Sequence, residues 1–84
     1  MPVEKLKAAH VYATRNRAEL EKDVLCGCFS CRTIFHPKEI TKWIDEGETA
    51  LCPYCGANTV LGSYSRFPIT NEFLKRMQKY WFSY

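Results

Sequence analysis

Five cysteines fall in two groups along this chain, Cys26, Cys28 and Cys31 in "CGCFSC" and Cys52 and Cys55 in "CPYCG". Two Cys-x-x-Cys pairs about twenty residues apart are the donor set that a tetrahedral, thiophilic cation requires. Each pair offers two thiolates from one tight turn, whose backbone N–H groups can face the sulfurs. Pro53 pre-bends the second turn and Gly56 tolerates the positive φ at its exit; Arg32 stands at the matching place in the first. The expected ligands are Cys28, Cys31, Cys52 and Cys55, around one structural Zn2+ ion. Iron suits the same four thiolates and stays open as an alternative. Four sulfurs close the coordination shell and leave no position for water or substrate, so catalysis at the metal is not expected. Cys26 is the spare. It reads as a small buried residue, or alternatively as a thiol for redox or metal sensing, although neighbouring anionic sulfurs would raise its pKa.

These thiols answer a need set by size. At 84 residues, 46% of them hydrophobic and 25% charged, the chain makes one domain of ordinary globular composition. So short a chain buries too little apolar surface to be comfortably stable without a staple. The N-terminal stretch is charged throughout and has no apolar run, so neither a secretory signal nor a membrane span is expected. A reducing cytoplasm follows as the expected compartment, where paired cysteines hold metal more often than each other. The formal charge of +3 says little about partners, since four thiolates and a divalent cation reduce it to about +1.

The elements that must position the cysteines can be read from periodicity. Residues 3–13 suggest a helix, with Pro2 near its start and Val3, Leu6, His10 and Ala13 on one side. Asn16 and Glu19 have capping-box spacing for a second short helix, from which Leu20 and Val24 would face inward. "RTIF" and "ETAL" read as strands, and "TVLGSYSRF" as a strand turning at Gly62. Between the cysteine pairs, "HPKEITKWIDEG" reads as a helix: Pro37 suits its first position, Ile40, Trp43 and Ile44 share a face, and Gly47 closes it. Thr70 would cap a final amphipathic helix bearing Phe73, Leu74, Met77, Tyr80 and Trp81, with Glu72 and Arg76 paired across one turn. The expectation is an α+β fold comprising a helical segment 1–23, a metal-binding β core 24–67 with an inserted helix, and a C-terminal helix 68–84.

The paired knuckles resemble a zinc ribbon or rubredoxin-like module, in which two hairpin-borne turns grip one ion. "CGCFSC", "HPKEITKWIDEGETALCPYCG" and "FPITNEFLKRMQKYWF" are together similar to a family of small bacterial proteins known only as cytoplasmic proteins. That resemblance implies fold, metal and compartment, and brings no activity with it.

Nothing in the sequence suggests an enzyme: there is no Ser-His-Asp set, phosphate-binding glycine loop or His-Glu-x-x-His pattern. His36 reads as a helix cap and His10 as a partly buried side chain. Seven of the twelve aromatic residues lie in the last 21 positions. Tyr80, Trp81, Phe82 and Tyr84 cover too much of a helix to be buried together, which points to a protein partner or a second copy of the chain. The alternative is nucleic-acid binding through Tyr64 and Arg66, extended by Lys75, Arg76 and Lys79.

Overall fold

The computed structural model describes residues 3–82. In chain order its regular elements are α1 (Val3–Val11), α2 (Arg17–Leu20), β1 (Cys26–Cys28), β2 (Ile34–Phe35), β3 (Trp43–Ile44), β4 (Thr49–Ala50), β5 (Val60–Gly62) and α3 (Asn71–Phe82). Single 3-10 turns cover Pro37–Glu39 and Ser63–Ser65. The fold class is α+β, as the sequence suggests: an N-terminal helix, a β core and a C-terminal helix.

β1 lies between β2 and β5, antiparallel to both, and β3 and β4 form a separate hairpin. Strand side chains alternate between faces, and in β1 and β5 this divides the interior in two. Leu61 points toward α1 and α3, where Leu6, Ala9, Phe29, Ile69, Phe73, Leu74 and Met77 pack together. Cys26, Cys28 and Val60 point the other way, onto Leu20, Phe35, Ile40, Ala50 and Cys52. Between its two cysteines Gly27 admits the last helix: a Cβ there would lie 2.8 Å from Leu74 Cδ1 and 3.1 Å from Ile69 Cγ2. The helix rests directly on the strand that carries Cys26 and Cys28.

α3 begins as its sequence predicts. The Thr70 hydroxyl accepts from Phe73 N–H at 3.2 Å, and Glu72 pairs with Arg76 at 3.5 Å. Both partners of that pair are well exposed, so its contribution is small. Its buried stripe is Phe73, Leu74 and Met77. α1 buries Leu6 and Ala9 and leaves Val3 exposed. Val24, expected to face inward, is 70% exposed, because α2 ends at Leu20 and the chain has already turned.

The expected helix between the cysteine pairs is replaced by a 3-10 turn and the β3–β4 hairpin. The helical cues are real but local. Pro37 sits in the first turn, the His36 ring accepts from Lys38 N–H at 3.0 Å, and Glu39 reaches back to His36 N–H at 3.2 Å. After one turn Ile40 is already extended. Asp45, Glu46 and Gly47 then take φ of 54°, 61° and 85°, a left-handed run that reverses the chain. Gly47 adopts the backbone expected of a helix cap, but at a hairpin turn. Tertiary bonds decide for strand. Arg17 N–H donates to Glu48 O at 3.1 Å and its guanidinium to Gly47 O at 3.0 Å, while its charge sits 4.7 Å over the Trp43 ring.

Asn16 corrects a second expectation. Its side chain makes no bond to the α2 terminus. It is 1% exposed, donating to Tyr12 O at 3.2 Å and Val60 O at 3.0 Å and accepting from Ala50 N–H at 3.1 Å. One amide thus ties the end of α1 to both sheets.

Asn16→Ala should destabilise the fold by about 2–4 kcal/mol in denaturant unfolding, because it strands Ala50 N–H and Val60 O in the interior. A change below about 0.5 kcal/mol would show the amide to be dispensable. The acid limb of stability should depend on Asp23. Partial burial pushes its carboxyl upward, but bonds from the Ser63 hydroxyl and the N–H groups of Tyr64, Val24 and Leu25 prevail and hold it below its ordinary value. A lowered folded-state pKa contributes stability above the unfolded value of about 3.9, lost as pH falls through the folded value. Asp23→Asn should therefore flatten acid unfolding in this range, measured by circular dichroism.

Candidate metal centre

β1 ends in the first cysteine turn, and the second bridges β4 and β5. The two turns repeat one another bond for bond. Cys28 N–H donates to Thr33 O and Arg32 N–H to Cys28 O; Cys52 N–H donates to Ala57 O and Gly56 N–H to Cys52 O. In each, the N–H two residues on faces the first sulfur: Ser30 to Cys28 Sγ at 3.3 Å, Tyr54 to Cys52 Sγ at 3.4 Å. The shared geometry puts Arg32 at φ 64°, where its counterpart Gly56 has φ 81°. A side chain in that region costs roughly 1–2 kcal/mol.

The turns face each other so that Cys28, Cys31, Cys52 and Cys55 bring their sulfurs within 4.8 Å of one another. Cys28 Sγ lies 3.6 Å from Cys55 Sγ and Cys31 Sγ lies 3.7 Å from Cys52 Sγ. Sulfurs at about 2.3 Å from a tetrahedral zinc are about 3.8 Å apart, whereas a disulfide brings them to about 2.05 Å. All five cysteines are free thiols, and these two contacts match the spacing expected of sulfurs around one ion. The four cysteines named from the sequence therefore form a group that could hold a metal, and Cys26 stands outside it.

The surroundings prepare the sulfurs for a cation. Thr59 Oγ1 lies 3.1 Å from Cys28 Sγ, placed to donate to its thiolate, and the Cys31 thiol donates to Thr33 Oγ1 at 3.2 Å. Without a cation, desolvation dominates at the buried pair: it pushes the Cys28 thiol far up and raises Cys52 as well. At Cys31 burial also opposes ionisation, but bonds from the Thr33 hydroxyl and N–H outweigh it and bring the thiol down to about 7. Thr33 and Thr59 were not singled out in the sequence. A hydroxyl two residues after Cys31 was the available cue for Thr33. Thr59 joins the site only through the pairing of β5 with β1.

The two turns differ in what covers them. Phe29, at the tip of the first, is wholly buried and packs near His10 and Phe82, and Gln78 of α3 donates to Ser30 O at 2.6 Å. Pro53, Tyr54, Cys55 and Gly56 of the second are exposed. Tyr54 packs on Phe35 with ring centroids 5.6 Å apart, and its hydroxyl donates to Glu39. The metal site thus has one edge locked into the helical core and one at the surface. Cys26 is wholly buried and donates to Phe35 O at 3.4 Å; desolvation, reinforced by Asp23, pushes its thiol up to about 12. A thiol so buried and so hard to ionise is a weak nucleophile.

The other candidate residues lie outside the four-cysteine group. Trp81 is 36% exposed, with its ring 4.1 Å from His10 and its indole N–H donating to Leu6 O at 3.2 Å. Tyr80 and Phe82 are half-buried, and Tyr84 lies outside the described residues. Tyr64 is half-buried against Tyr12, to whose carbonyl its hydroxyl donates at 3.1 Å. Arg66 is exposed at φ 69°, and Lys75, Arg76 and Lys79 are exposed along α3. No helix among the described residues is long and apolar enough to cross a membrane. Comparisons with protein-family models, with curated proteins and with solved structures find no match, so the family resemblance gains no support from them.

Metal uptake at pH 7 should release at least two protons, one each from Cys28 and Cys52, measured as the buffer dependence of the binding enthalpy. Affinity should fall with decreasing pH, since protons compete for the same sulfurs. Thr59→Val should weaken metal binding by about 10–100-fold in a competitive chelator titration, and an unchanged affinity would show the hydroxyl to be idle.

Proposed function

We propose that this chain is a non-enzymatic zinc-ribbon-like module, braced by one structural Zn2+ on Cys28, Cys31, Cys52 and Cys55, that works by engaging a protein partner. The observation that carries the reading is the approach of four sulfurs to within 4.8 Å of one another, two pairs of them at 3.6 and 3.7 Å. A closed thiolate shell supplies no open coordination position, which favours bracing over catalysis. Structural zinc is worth an apparent ~10–16 kcal/mol near neutral pH, as much as or more than the net stability of a typical domain at ~5–15 kcal/mol. In a chain of 84 residues that is enough to decide whether the fold exists.

The partner surface we assign to the end of α3, where Tyr80, Trp81 and Phe82 cluster and Tyr84 follows in sequence. The Trp81 ring is anchored at one edge by Leu6 and His10 while more than a third of the residue meets solvent. An aromatic held rigid and still accessible loses little entropy on binding, which suits an interface anchor. A second copy of the chain is one candidate partner.

The experiment is paired. Protein isolated without added metal should contain one zinc per chain, and a photo-crosslinking residue at exposed Lys7, next in sequence to the Leu6 that Trp81 bonds, should capture one defined protein or a second copy. Trp81→Phe, which loses the indole bond to Leu6 O, should weaken capture several-fold with zinc content unchanged. Zinc-free folded protein contradicts the first half of the reading, and capture indifferent to Trp81 contradicts the second.

A further inference from the structure

The first cysteine turn carries a charge that the metal site does not require as a ligand. Arg32 projects beside α3, where Arg32, Lys75, Gln78 and Lys79 line a shallow depression of about 360 Å³. A second depression of about 290 Å³, lined by Glu72, Lys75, Arg76 and Lys79, continues it along the helix. The two share Lys75 and Lys79 and so form an elongated track, not a closed pocket. Its one acid, Glu72, is engaged by Arg76. Among the described residues, Arg32, Lys75 and Lys79 make no ion pair. Gln78 fixes the relation between the two elements by bonding to Ser30 O of the same turn.

We infer that Arg32, Lys75 and Lys79 form a binding site for the phosphate backbone of a single nucleic-acid strand. Lys75 and Lys79 are one helical turn apart, about 6 Å along α3, a step comparable with that between neighbouring phosphates on one strand. A third cation on the adjoining turn extends the row. The lining side chains include no aromatic ring, so the site contacts backbone and reads no bases. Arg32 also occupies a left-handed position where the matching turn uses glycine, and backbone strain of this kind clusters at functional sites. The row excludes Tyr64 and Arg66, which line neither depression, and Trp81 lies roughly 160° around the helix from Lys79. Phosphate binding and partner binding therefore use different faces and can fail separately.

The test uses zinc-loaded full-length protein and a short, fluorescent single-stranded oligonucleotide of mixed sequence. Three phosphates neutralised on a single strand give a slope of about −2 in log K against log salt, so affinity should fall about 20-fold between about 50 and 200 mM salt. Arg32→Gly suits the existing backbone, so it should fold and keep one zinc, while the same salt step now costs only about 7-fold. Lys75→Gln and Lys79→Gln should each lower the slope by a similar step. Failure to bind the oligonucleotide, or an Arg32→Gly slope equal to the wild type, overturns the site. Tighter binding to polyglutamate or to anionic phosphatidylserine vesicles at the same salt also overturns it, in favour of an acidic protein or a membrane surface.

Discussion

Four thiol groups crowded within 4.8 Å of each other are a difficult thing for a small protein to keep. As thiolates they repel one another, and two of them are buried, where desolvation penalises charge further. The cluster is therefore tolerable in two states, with protons on its sulfurs or with a cation among them. The hydrogen bonds favour the second. Backbone N–H groups from both turns are aimed at the sulfurs and the hydroxyl of Thr59 lies beside Cys28, an arrangement that stabilises negative charge on them. A divalent ion satisfies the four ligands at once and joins two segments that are distant in sequence.

Much of the remaining architecture follows from holding those two turns in register. β1 delivers Cys28 and is clamped between β2 and β5, with α3 lying against Gly27 on its other face. The hairpin that leads to Cys52 is held from outside by Arg17 and from inside by Asn16. Asn16 also bonds β5, so the two sheets that bring the cysteine turns together share one buried amide. The first turn is embedded, through Phe29 and Gln78, and the second is bare. Ligand exchange and any external contact with the centre would enter by the Cys55 edge.

The four-cysteine group was legible in the sequence because its chemistry depends on spacing along the chain, which a sequence states directly. The C-terminal helix was legible because its apolar stripe has one reading, whereas the N-terminal helix was placed but its buried face is Leu6 and Ala9, with Val3 exposed. Between the cysteine pairs the cues conflicted. Ile40, Trp43 and Ile44 suit a helix face, yet Trp43, Ile44 and Thr49 are also good strand residues, and the decision rests on bonds from Arg17 and Asn16, more than twenty residues away. Asn16 itself reads as a helix cap, since an Asn before a short helix usually is one. Only the folded chain reveals that its partners are Tyr12, Ala50 and Val60. Thr59 and the proximity of Arg32 to Lys75 were hidden for the same reason: each is a product of tertiary pairing.

X-ray absorption at the metal edge, on protein isolated without added metal, tests the central claim most directly. The account predicts one ion per chain surrounded by four sulfurs at about 2.3 Å with no lighter atom in the shell. An oxygen or nitrogen among the ligands, or a metal-free sample that keeps its folded core, would contradict it.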